Sequence, residues 1–86
     1  MDDHIALDQL EALAWSLGIE VRYEKIPQDD VTISGGLCRL KGKNVIVIDA
    51  RASSKERVRI LVQALRPFDL SDVYIRPALR EILEQD

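Results

Sequence analysis

GLCRLKGKNVIVID, residues 36–49, holds two extended runs either side of a turn signal. Lys41, Gly42 and Lys43 supply a polar, glycine-containing connection, so the expectation is a hairpin of strands over residues 36–40 and 44–49. Val45, Ile46, Val47 and Ile48 place apolar side chains on both faces of the second strand, which suits a central strand or one covered on both sides. Before the hairpin, Ile19, Glu20, Val21, Arg22 and Tyr23 alternate apolar and polar, the period of a strand with one buried face. Gly18 sits where a left-handed residue would close a preceding helix over about residues 3–17. Leu7, Leu10, Leu13, Ala14 and Leu17 recur along that helix on one stripe, and Asp2, Asp3 and Asp8 gather near its positive N-terminal end. Residues 25–34, with Pro27 and two aspartates, read as a surface loop holding a short extended piece at Val31, Thr32 and Ile33.

After the hairpin, Ser53 and Glu56 have capping-box spacing and open a helix that runs to about Leu65, where Pro67 stops it. Val58, Leu61, Val62 and Leu65 form its inner stripe. Residues 68–76 read as a linker, and Pro77 suits the first position of a last helix with Ala78, Leu79, Ile82 and Leu83 facing inward. The order is α-β-β-β-α-α. It predicts an α+β fold, a small three-stranded, mainly antiparallel sheet with helices packed on it, in a single globular domain over residues 1–86.

Composition narrows the function. At 86 residues, 47% apolar and 31% charged, the chain has the make-up of one small globular domain. No apolar run exceeds four residues, against the 18 or more that span a bilayer, so no membrane partner is expected. The start, Met1-Asp2-Asp3-His4, is acidic where a signal peptide is basic and then apolar. A lone cysteine, Cys38, forms no internal disulfide, and with the lone histidine, His4, it builds no Cys/His zinc site. The expectation is a reducing cytoplasm and no cofactor. The net charge of −3 conceals segments of opposite sign: −6 over residues 1–30, +6 over 31–66 and −3 over 67–86. Such segments either pair within the chain, pair between copies, or leave a basic middle for a polyanion, and the low pI of 5.1 favours the first two.

No chemical motif survives inspection. Five residues separate Gly36 from Gly42 where a phosphate loop needs four, and Asn44 replaces the Ser or Thr that would hold magnesium. Cys38 lacks an imidazole beside it in the sequence and, within a strand, reads as a small core residue rather than a nucleophile. Asp29-Asp30 reads as a solvated turn, and Glu81 with Glu84 as an exposed helix face rather than a cation site. Two surfaces say more. Lys55, Arg59 and Arg66 fall within about 40° of one another around their helix and form a candidate basic face. Trp15 lies about 150° from the leucine stripe, near Ile5 and Ala12, so the three make a candidate partner-binding patch. The competing expectation is that Ile26, Ile33 or the C-terminal segment covers the indole.

LAWSLGIEVRYEKIP (residues 13–27), SGGLCRLKGKNVIVID (34–49) and SSKERVRILVQAL (53–65) together resemble the ImmA/IrrE family of metallopeptidases. They look like that family's opening helix turning at glycine into its first strand, its Gly-rich strand hairpin, and the start of its active-site helix. The resemblance spans about two-thirds of the chain. In that family an HExxH motif on the helix holds zinc and activates water. Here Ala64, Leu65, Arg66, Pro67 and Phe68 occupy those five places, so neither the histidines nor the glutamate is present. The resemblance therefore implies a truncated relative without the catalytic machinery, and no functional residue carries over.

The function expected is a non-catalytic cytoplasmic interaction or regulatory domain. Its partner is a protein, a second copy in the simplest case, bound through Ile5, Ala12 and Trp15. The alternative is a weak nucleic-acid or polyanion binder using Lys41, Lys43, Arg51, Lys55, Arg59 and Arg66. An enzyme with Cys38 as nucleophile stands third.

Overall fold

The structure is a computed structural model and describes residues 1–26 and 35–85. The element order is α1 (Asp3–Ser16), β1 (Glu20–Glu24), β2 (Gly35–Leu40), β3 (Lys43–Asp49), α2 (Ser54–Leu65) and α3 (Pro77–Glu84). This is the expected α-β-β-β-α-α fold of the α+β class. The extended piece expected at Val31 to Ile33 and the turn at Asp29-Asp30 lie outside the described residues.

Local chemistry sets the boundaries. The Asp2 carboxylate accepts the His4 backbone N–H at 2.7 Å and caps α1. At the other end Gly18 takes φ +75°, Ile19 N–H donates to the Ala14 carbonyl at 2.9 Å, and Gly18 N–H donates to the Trp15 carbonyl at 3.0 Å. This is a Schellman closure, and it turns the chain directly into β1 with Ile19 buried beneath it. Ser53 Oγ accepts the Glu56 N–H at 3.2 Å and caps α2. Pro67 and a Phe68 N–H to Leu65 carbonyl bond close α2, and Pro77 begins α3. The hairpin turn is one residue tighter than its sequence suggested. Lys41 and Gly42 both have positive φ, 51° and 80°, so a two-residue primed turn joins Leu40 to Lys43.

The sheet corrects one expectation. Its strand order is β1-β3-β2, with β2 antiparallel to β3 but β1 parallel to it, so the sheet is mixed rather than mainly antiparallel. The all-apolar β3 gains a neighbour on each side only if β1 joins it rather than β2. β1 ends beside Asp49 and β2 begins beside Ile48, at the same end of the sheet, so β1 runs opposite to β2 and the same way as β3. Alternation along residues 19–23 reads identically for either direction, so the pattern could not distinguish them.

Ile46 and Ile48 point from the central strand into the core, where they meet Leu10 and Leu13 of α1, Leu61 and Leu65 of α2, and Leu79 and Leu83 of α3. Val45, Val47 and Asp49 alternate onto the other face. Asp49 is the one charged residue buried there, and it is held by Arg51, whose backbone N–H, Nε and Nη2 all donate to its carboxylate at 2.9–3.0 Å. Arg51 Nη2 also donates to the Ile26 carbonyl at 2.7 Å, tying the chain beyond β1 to the end of β3. Gly35 is required where it stands. Its φ is +150°, and a Cβ there would overlap the Val47 carbonyl oxygen and approach the Ile48 Cα to 2.9 Å.

Candidate interaction surfaces

α1 buries Ala6, Leu7, Leu10, Leu13 and Ala14 and turns its other side outward. At about 100° per residue, Ile5, Ala12 and Trp15 lie roughly 140–160° from the centre of the buried arc. The structure leaves all three exposed: Trp15 at 82%, Ile5 at 52%, and Ala12 among the exposed positions. Neither Ile26 nor the described C-terminal segment covers the indole, and Ile33 lies outside the described residues. Asp8 lies on the same outer face, between Ile5 and Ala12 in sequence, and is exposed.

The patch extends further than its sequence indicated. Tyr74 is 83% exposed and, with Ala12, Gln9 and Ser16, lines a shallow groove of about 380 Å³ beside α1. The signal was present in Val73-Tyr74-Ile75, where Ile75 is buried and Tyr74 faces away from it, but the segment read only as a linker. On its other side Trp15 borders a hollow with Gly18, Glu20, Lys43 and Asn44, so the indole sits between the end of α1 and the hairpin turn.

Lys55, Arg59 and Arg66 are exposed and do share one surface, as expected. They line a groove of about 530 Å³ where the start of α1 meets α2 and α3. Its floor is apolar, with Val58 and Val62 from α2, Ile82 from α3 and Ala6 from α1, while Asp3 and Glu81 also reach its edge. Arg66 has a second task, because its Nε donates to the Leu83 carbonyl at 3.1 Å and satisfies one of the open carbonyls ending α3. The other basic residues of the polyanion reading are elsewhere: Lys43 beside Trp15, and Arg51 on the Asp49 carboxylate.

Among the described residues, no ion pair joins α1 to α2. Those found among the described residues are local, Arg22 with Glu20 and Glu24, Arg51 with Asp49, and Arg80 with Glu84. The Arg22 guanidinium holds the Glu20 carboxyl below its ordinary range. What joins the acidic start to the basic middle is a tyrosine. Tyr23 Oη donates to the Glu11 carboxylate of α1, and the Arg57 guanidinium of α2 lies 4.8 Å from the centre of the Tyr23 ring. Partial burial, reinforced by the Glu11 hydrogen bond, pushes the Tyr23 hydroxyl well above its ordinary range.

Cys38 corrects another expectation. It is exposed, not a core residue, because it lies on the edge strand β2, whose residues from Leu37 to Leu40 are exposed on both faces while its partner Val45 on the central strand is buried. His4 stands in the first turn of α1. Among the described residues no group of three or more His, Cys, Asp or Glu side chains is placed to hold a metal ion. Glu84 faces Arg80 at 3.9 Å, and Glu81 lies on the basic groove. The five positions from Ala64 to Phe68 straddle the end of α2, with Ala64 and Leu65 buried in the core. No described helix is long and apolar enough to cross a membrane. Compared with known proteins, the chain matches no family model, no curated protein and no solved structure.

Proposed function

We propose that this chain is a non-catalytic interaction module that associates with a second copy of itself through the outer face of α1. The observation that carries this reading is Trp15, 82% exposed on a helix whose opposite side is already fully employed in the core. Tryptophan is enriched among the residues that dominate interface energies, and here it stands with Ile5 and Ala12 on the outer face of α1. A reducing cytoplasm suits the exposed thiol of Cys38. On this reading the chain is a relative of the ImmA/IrrE metallopeptidases that keeps a scaffold without the ligand-bearing end of α2.

The test is mass in solution by light scattering across a concentration series. Wild type should pass from monomer to a larger species. Trp15→Ala should weaken that step by about 2 kcal/mol, roughly thirtyfold in Kd, with an unchanged circular dichroism spectrum. Trp15 is the only tryptophan, so its fluorescence should shift to the blue over the same concentrations. A wild type that stays monomeric with a solvent-exposed emission throughout would sink the reading.

One observation favours a second reading, a polyanion at the basic groove: Lys55 and Arg59 point into it with no ion-pair partner among the described residues. Fluorescence anisotropy with labelled DNA and RNA at low salt decides it, since phosphate binding must fall steeply as salt rises. Asp3 and Glu81 on the same groove count against it.

A further inference from the structure

We propose that the groove between α1, α2 and α3 receives the outer face of α1 from a second copy, so that copies join head to tail. This inference rests on the self-association proposed above and names its other half. α1 has no lysine or arginine; Asp8 stands on its outer face, while Asp3 lines the groove and Glu11 accepts from Tyr23, whereas α2 with its cap carries Lys55, Arg57, Arg59 and Arg66 against Glu56. The two helices pack side by side, yet no ion pair found among the described residues joins them. Asp8 projects outward on α1, and Lys55 and Arg59 project into the groove. A second copy can bring Asp8 to Lys55 and Arg59, a pairing that their placement on different faces does not give within one copy.

The chemistry of the two surfaces also matches. The groove sets an apolar floor of Val58, Val62 and Ile82 beneath a rim that bears Lys55 and Arg59. The outer face of α1 presents apolar Ile5, Ala12 and Trp15 with Asp8 among them. An amphipathic helix laid into a groove of complementary charge is a common recognition mode, and about 530 Å³ is ample for an indole. A guanidinium on the rim adds an attraction for the indole face. Asp3 and Glu81 reduce the excess of positive charge along the groove to one, which makes the contact salt-sensitive and modest rather than tight.

Symmetry follows from placement. Ala6 and Asp3 line the groove, whereas Ala12 and Ile5 lie about 100–180° around α1 from them, so donor face and receiving groove occupy different sides of the molecule. A contact between unlike surfaces builds rings or open chains rather than a closed two-fold pair.

Two variants separate the halves. Lys55→Glu with Arg59→Glu spoils the groove and leaves the α1 face intact, while Asp8→Lys with Trp15→Ala does the reverse, and all four positions are exposed. Each variant alone should associate at least tenfold more weakly than wild type, with its circular dichroism spectrum unchanged. Mixed in equal amounts they should form a species of two chains and no larger, because one sound face and one sound groove remain. A mixture that stays monomeric overturns the proposal. So does a groove variant that associates as wild type does while Trp15→Ala does not, a result that leaves self-association through α1 standing. A groove variant with unaltered association that loses binding to labelled nucleic acid assigns the groove to a polyanion and overturns it too. A monomeric wild type removes both readings.

Discussion

Arg57 and Arg59 are two residues apart on α2 and chemically identical, yet they do opposite work. Arg57 donates to the carbonyls of Ala50 and Ala52 at 2.9 and 3.0 Å and covers the Tyr23 ring, so it fastens the turn between β3 and α2 and the edge of β1. Arg59 is exposed on the groove. Arg57→Ala should cost about 1–2 kcal/mol in urea unfolding, and Arg59→Ala less than about 0.5 kcal/mol. Spacing around a helix assigned the face of Arg59 correctly but could not find the task of Arg57, since its partners lie on carbonyls no side-chain pattern encodes. Gly35 is a similar case. Gly35→Ala should cost about 2 kcal/mol or more, because neither the positive φ nor the Val47 carbonyl can yield to a methyl group. Tyr23 gives a pH signature. Its hydroxyl has a higher pKa folded than unfolded, so the stability it contributes is complete below about pH 10 and declines above it. Chemical unfolding from pH 9 to 11 should therefore show a steeper loss for wild type than for Tyr23→Phe, and parallel curves would refute the assignment.

Among the elements, those closed by a local signal were legible in sequence. α1 ends at Gly18, α2 begins at Ser53, and α3 begins at Pro77 because capping chemistry acts over a few residues and leaves its mark there. Long-range choices left no such mark. The pairing of β1 with β3 is made across a connection longer than any of these signals, and it turned an expected antiparallel sheet into a mixed one. The same limit explains Cys38, whose exposure depends on its strand lying at the edge of the sheet. It also explains Tyr74, which belongs to no regular element and gains its place beside α1 only from the fold. The exposure of Ile5, Ala12 and Trp15 was legible, because the leucine spacing along α1 fixes the inner face and so the face opposite it.

For the molecule as a whole, the opposite charges of α1 and α2 lie on separate surfaces, and no ion pair among the described residues joins the two helices. The acidic outer face of α1 and the basic rim of α2 are adjacent but look in different directions, which is why salt should act on association far more than on folding. The strand order has a further effect. β3 is bonded on one side to β2, its immediate neighbour in the chain, and on the other to β1, which arrives from beyond the hairpin. The hairpin, α2 and α3 follow one another in sequence, whereas α1 and β1 meet β3 and α2 through contacts distant along the chain. The molecule is thus built along a seam, between β1 and β3 in the sheet and between α1 and α2 in the helical layer. The helix that bears Trp15 packs along this seam against α2, so anything that loosens the seam also displaces the face offered to a partner.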